Sequence, residues 1–267
     1  MGKRHFQQRF IAFVDILGFS SIVERMSSEG RLFTTIRDAL KRLDRQSRGF
    51  QRYRRQRRDK REATLRKGAV PLVAASNLQM TAFSDCYVLS EVSPAWHVLA
   101  AVQALGSRFL AEGILTRGAV VQGNAYHNGR VLFGPGIVDA YKLESEVAKY
   151  PRILVTESVR QAVWGYHEGL WKGRLLERDV DGCWFVNLLV PSLSSWAPLS
   201  DTAAERDVDS HLKRVRRSLA NEWQRAQGNP GHMSKVWWLI HNFNKVAQKK
   251  GVDQIEHPDT AGVDALR

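Results

Sequence analysis

Two aspartates, Asp15 and Asp85, each stand where a short run of β-branched and aromatic residues ends. FIAFVDI, residues 10–16, carries the first, and Ser84-Asp85 lies between the strand-like runs Leu78–Phe83 and Cys86–Val92, at the tip of a predicted hairpin. Placed side by side, their oxygens would bind Mg²⁺ or Mn²⁺, and a two-metal site can activate an attacking hydroxyl while neutralising phosphate charge. An aspartate at a strand end is commonly a turn residue, so this chemistry requires the two strands to be neighbours. Other chemistries find less support. The eight histidines show neither HxxxH nor HxH spacing, Cys86 and Cys183 form no CxxC motif, and neither GxSxG nor GxxxxGK[ST] occurs.

The elements that must position these carboxylates follow from hydrophobic periodicity. A buried strand over 10–16 ends at Gly18, and apolar residues three or four apart predict helices over 19–26 and 32–43. After the hairpin, Pro94 precedes a helix over 96–110, and 114–121 returns to strand character. Asn124, Asn128, Gly129, Gly134, Pro135 and Gly136 punctuate a hairpin that leads into a helix over 137–149. A strand over 153–156, a helix over 158–164 and two strands within 174–190 around Asp181-Gly182 complete an α+β sheet domain, with helices on one sheet face. PSLSSWAPLSD then reads as a link. Amphipathic helices over 202–226 and 233–249, with Trp237, Trp238 and Phe243 as core residues, are predicted to pack on the sheet. The division is thus residues 1–190 and an extension, 191–267.

With 267 residues, 43% of them hydrophobic, the chain is large enough for a substantial core, and disordered and fibrous classes are excluded. Its net charge of +13 points to an anionic partner. Much of it lies in 41–67, where 13 Lys or Arg face Asp44, Asp59 and Glu62, a net of +10. That segment is read as a solvated insertion, with a basic arm for nucleic acid as the other reading. No signal segment or apolar span is evident and two distant cysteines make no disulfide framework, so a cytoplasmic protein is expected.

FVDILGFSSIVERM resembles the opening strand and loop of class III nucleotidyl cyclases, the adenylate and guanylate cyclase family. FSDCYVL, GILTRGAVVQG, FGPGIVDAYKLES and RILVTESV resemble later family motifs in the same order. The resemblance implies a ferredoxin-like core with a βααββαβ antiparallel sheet and a head-to-tail homodimer with sites at the interface. It also implies two Mn²⁺ or Mg²⁺ ions held by Asp15, Asp85 and the carbonyl of Ile16. The amides of Leu17, Gly18, Phe19 and Ser20 would cradle a triphosphate at a helix start. The implied reaction is attack of the ribose 3′ oxygen on the α-phosphate with loss of diphosphate.

The departures bear on substrate. Val138 stands where the family has its transition-state Asn and Lys142 where it has its Arg; Lys142 keeps the charge without the fork, and Arg117 is positioned to supply a guanidinium. The family's purine-reading positions fall on Thr81 and Val131, which carry none of its usual contacts. Purine edges left unpaired would cost roughly 1 to 3 kcal/mol per group, which favours a pyrimidine. The chain is similar to the bacterial pyrimidine cyclases of the Pycsar antiphage defence system, which implies cyclic UMP from UTP, or cyclic CMP from CTP, acting on a cell-killing effector. Tyr141, Phe50 and Tyr53 are candidate base contacts. The competing class is a non-catalytic nucleic-acid binder on a cyclase-like fold.

Overall fold

The computed structural model describes residues 5–41, 78–164, 175–190 and 201–256, the last without side chains for 201–207. The basic segment beyond Lys41, with Phe50 and Tyr53, and the Ser/Pro-rich link lie outside the described residues. The predicted order of elements is the observed one. β1 (Gln7–Ile16) leads to α1 (Phe19–Met26) and a helix over 30–41, α2. The hairpin β2 (Gln79–Phe83) and β3 (Cys86–Glu91) precedes α3 (Ala95–Leu110) and a long β4 (Thr116–Asn128). Next come β5 (Val131–Phe133), α4 (Pro135–Lys142), β6 (Ile153–Val155), α5 (Glu157–Trp164), β7 (Leu176–Arg178) and β8 (Trp184–Val186). The helices α6 (Asp201–Ala226) and α7 (Pro230–Lys250) follow.

The sheet runs β2-β3-β1-β4-β6-β8-β7, with β5 paired to β4. Its first four strands, in the order β4-β1-β3-β2, are antiparallel throughout, with α1 and α2 crossing from β1 to β2 and α3 from β3 to β4. That is the ferredoxin-like split arrangement, and the fold class is α+β with C-terminal helices. β6 joins β4 in parallel and extends the sheet.

Alternate residues of β1 serve two cores, as a period of two requires. Phe10, Ala12, Val14 and Ile16 pack with Val98, Val102 and Phe109 of α3, in a cluster that continues to Leu212, Leu219, Leu239 and Phe243 of the last two helices. Ile11 packs on the opposite side with Val88, Val121, Ala125 and Ala140. Helices therefore cover both faces of the sheet, which corrects the expectation of one covered face. The cause is α4, whose backbone touches β4. A Cβ on Gly136 would lie 2.7 Å from Ile11 Cδ1 and 2.9 Å from the Gly123 carbonyl carbon. Gly136→Ala is expected to cost about 1 to 3 kcal/mol by overpacking, read as a lowered denaturation midpoint.

α7 is anchored by Trp238, which is 7% exposed. Its ring stacks on Tyr150 with centroids 5.6 Å apart, its Nε1–H donates to Asp179 (3.0 Å), and the Arg152 guanidinium lies over it while pairing with Asp179 and Asp181. Phe243 is also core, whereas Trp237 is 48% exposed and stacks on His241.

Candidate active site

Asp15 closes β1 in a row of three strands. It lies opposite Cys86 on β3 and Arg117 on β4, so all three share a sheet face. Asp85 follows Ser84 in the two-residue turn between Phe83 and Cys86, where Ser84 takes φ 53°. The Ile16 amide donates to the Asp85 carbonyl at 2.8 Å and locks the β1 terminus to the hairpin tip. The two aspartates named from sequence therefore lie at the same end of the β1–β3 pair, near enough for the Asp85 charge to act on the Asp15 carboxyl.

A third carboxylate joins them. After α4 the chain takes one π turn, Leu143–Val147, closed by the Ala148 amide on the Leu143 carbonyl (3.2 Å). The predicted helix over 137–149 is thus broken at Lys142, a widening often found at functional sites. Glu144 in this turn is 3% exposed, and its Oε1 accepts from Arg117 Nε at 2.5 Å. Arg117 is in this way held against the site by a buried partner. Sequence reasoning gave Glu144 no role, although it closes the AYKLE run that carried the family resemblance.

The electrostatics follow from the crowding. Burial first, then the charges of Glu144 and Asp85, push the Asp15 carboxyl above its usual range, against the pull of Arg117 and the Ile16 amide. A divalent cation beside Asp15 and Asp85 would relieve that repulsion, so the donors fit one. Among the described residues no group of three or more His, Cys, Asp or Glu is arranged to hold a metal ion. Two carboxylates and a main-chain oxygen suit Mg²⁺ or Mn²⁺, which complete their shells with water and substrate phosphate. The Cys86 thiol is pushed up by burial, Asp85 and Asp15, which keeps it protonated and unreactive at neutral pH.

The loop after β1 offers amides at the start of α1. Gly18, at φ 66°, is its N-cap and no side chain caps it. The amides of Phe19 and Ser20 head a helix without an intrahelical acceptor. Leu17 is different, because its amide donates to the Leu115 carbonyl (2.9 Å), which removes it from the expected cradle. The Phe19 side chain packs on the main core and Ser20 is exposed.

The remaining sequence candidates lie apart from the carboxylates. α4 turns Ala140 and the following Glu144 inward, so Val138 (50% exposed), Tyr141 (54%) and Lys142 face outward. Tyr141 meets Phe13 edge-on at 5.6 Å. Thr81 shares the Asp15 face through its pairing with Val88, but its hydroxyl is engaged. It donates to the Gly129 carbonyl (2.8 Å) and meets His127 Nε2 at 3.0 Å; His127 Nδ1 in turn meets Ser90 Oγ at 2.7 Å, which accepts from Arg9 Nε. Val131, 55% exposed, sits opposite Asn128 in the β4–β5 hairpin.

Because the Thr81 hydroxyl donates to Gly129, donor accounting makes His127 Nε2 the donor to Thr81, and in a neutral ring Nδ1 then accepts from Ser90 Oγ. Burial and Arg9 lower the His127 pKa to about 4. The stabilisation from keeping it neutral is full above about 6.5, the pKa of an unperturbed histidine, and is lost as pH falls through about 4. An NMR titration of the His127 ring is expected to give a midpoint below 5; a midpoint near 6.5 would contradict the network.

No family model matches the chain, and no curated protein matches it. Among solved structures it is similar to the catalytic core of a rhodopsin-guanylyl cyclase with converted specificity, in complex with ATPalphaS. The identity is 16% and the TM-score 0.42, over 68% of this chain and 96% of that one. No helix among the described residues is long and apolar enough to cross a membrane.

Proposed function

We propose that the chain is a metal-dependent nucleotidyl cyclase that converts UTP to 3′,5′-cyclic UMP and diphosphate, with CTP to cyclic CMP as the alternative within the same chemistry. The observation that carries this reading is the placement of Asp15 and Asp85 at the same end of the β1–β3 pair, beside the amides at the start of α1 that have no acceptor among the described residues and beside the Arg117–Glu144 pair. In the reaction the ribose 3′ oxygen forms a bond to the α-phosphorus, the bond to the β-phosphoryl oxygen breaks, and the 3′ hydroxyl proton leaves to solvent. Bound Mg²⁺ or Mn²⁺ supplies activation of that hydroxyl and neutralisation of phosphate charge. The chain's own contribution is placement. Asp15, Asp85 and the Ile16 carbonyl hold the ions, the Phe19 and Ser20 amides bind the phosphate tail, and Arg117 stabilises charge that builds on the phosphates.

The outward side chains of α4 support a site completed by a second copy in head-to-tail order. Val138, Tyr141 and Lys142 are exposed on this chain, as is Phe83 (77%) next to the hairpin tip. Lys142 then serves the partner's triphosphate, and Tyr141 and Val131 are offered to its base. The engaged Thr81 hydroxyl leaves little polar reach for a purine edge, which supports the smaller base. A role in antiphage defence, through an effector that responds to the cyclic product, rests on the resemblance of the motifs.

Base choice is tested by competition. Purified protein with Mn²⁺ and equal concentrations of the four ribonucleoside triphosphates is expected to yield cyclic UMP as the main product. Cyclic CMP in excess would move the assignment to CTP, and a purine product in excess would overturn the pyrimidine reading.

A further inference from the structure

Away from the carboxylates, three segments distant in sequence converge on a cleft of about 220 Å³ lined by arginines. The end of α1 and the start of α2 contribute Arg25, Glu29 and Arg31, the turn after α3 contributes Glu112, and α6 contributes Arg214, Arg217 and Arg225. No lysine lines it. Three of the arginines are fixed by carboxylates. Arg25 forks onto Glu29 at 3.2 and 3.3 Å, Arg31 reaches Glu112 at 2.9 Å, and Arg225 pairs at 2.5 Å with Glu222, which is 4% exposed. Arg214 and Arg217, three residues apart on one side of α6, have no carboxylate or hydrogen-bond partner among the described residues. Five guanidinium groups thus face three carboxylates.

The arginines are not needed to satisfy the helix ends that point here. The Ala111 carbonyl accepts from Ser218 Oγ (2.7 Å), the Leu110 carbonyl from the Gly113 amide (3.1 Å), and the Arg25 carbonyl from the Glu29 amide (2.7 Å). What remains is a concave surface with an excess of two positive charges carried on planar forks, the geometry that matches phosphoryl oxygens pairwise. We propose that this cleft binds a compact phosphate polyanion, a diphosphate group, with Arg214 and Arg217 as its primary contacts. Free diphosphate and the tail of a nucleotide share that chemistry. The site is separate from the Asp15–Asp85 pair and does not depend on the function assigned to it.

Titration calorimetry in metal-free buffer at constant ionic strength, with inorganic diphosphate and separately with UDP, tests the assignment. Saturable binding with a dissociation constant below about 1 mM is expected, together with a ligand-dependent rise in melting temperature. Loss of two charge-assisted contacts in Arg214→Ala/Arg217→Ala should weaken it by about 100-fold, on the order of tenfold per arginine. Asp85→Asn should bind as the wild type does. Equal affinity for the two probes would assign the free anion, and tighter UDP binding a nucleotide. Both arginines are exposed, and Arg217→Gln alone, melting as the wild type does, guards against an unfolded double variant. Undiminished binding in the arginine variants, loss of binding in Asp85→Asn, or binding to oligonucleotides but not to diphosphate would overturn the proposal.

Discussion

Asp15→Asn is expected to abolish cyclisation, by at least 10²- to 10³-fold, while raising the melting temperature of the metal-free protein at pH 7. The loss follows from removing one of two carboxylates that hold the ions, and its scale is that of deleting one group that stabilises transition-state charge. The gain follows from the crowding of Asp15 by burial, Glu144 and Asp85. A carboxyl whose folded-state pKa lies above 3.8 binds its proton more tightly in the fold than in the unfolded chain. Its contribution therefore favours the fold at low pH and is lost as pH rises through that raised value. By pH 7 the ionised group works against the metal-free fold, and asparagine removes the charge. Mn²⁺ should raise the melting temperature of the wild type and leave Asp15→Asn unmoved. A metal-free variant that melts below the wild type, or that retains turnover, would refute this account of the pair.

The second large effect concerns Arg117. Glu144 is 3% exposed, and removal of its partner leaves a buried carboxylate without compensation, a loss of about 3 to 5 kcal/mol. Arg117→Ala should accordingly lower the melting temperature by roughly 6 °C or more, on the scale of a few degrees per kcal/mol for a chain of this size. Adding Glu144→Gln removes the stranded charge and should restore much of that stability. It should not restore turnover, because the guanidinium that faces the phosphates is still missing. Recovery of stability and activity together in the double variant would reduce Arg117 to a structural ion pair.

The order of strands and helices was legible because each element carries its own period. FIAFVDI is bounded by Gly18, and α3 repeats its apolar residues at helical spacing over Ala95–Leu110. The placement of Asp15 and Asp85 was legible for the same reason, since one lies at the end of a well-marked strand and the other in the tight turn between two. The position of α4 was not, because it depends on contact between Gly136 and Gly123, two residues without side chains on different elements. Glu144 was missed because its partner is 27 residues away and because a π turn, not an ordinary helix, aims it inward. The engagement of Thr81 rests on contacts with residues 46 and 48 positions away, which local spacing does not display. Leu17 belongs with these, as its amide is taken by Leu115 on the strand-leading turn after α3. The resemblance of motifs pointed to the loop, and only tertiary pairing shows that the Leu17 amide is engaged while those of Phe19 and Ser20 have no acceptor among the described residues.

The claim on which the rest depends is that Asp15 and Asp85 form one metal-dependent cyclisation site. It is tested most directly by mass-spectrometric product identification after incubation with UTP and with CTP, with Mn²⁺ and with chelator, for the wild type and for a folded Asp85→Asn. A 3′,5′-cyclic pyrimidine nucleotide with stoichiometric diphosphate, formed by the wild type with Mn²⁺ and absent under the other conditions, is the predicted result. No cyclic product from a folded wild-type protein with Mn²⁺, or equal product from Asp85→Asn, would contradict it.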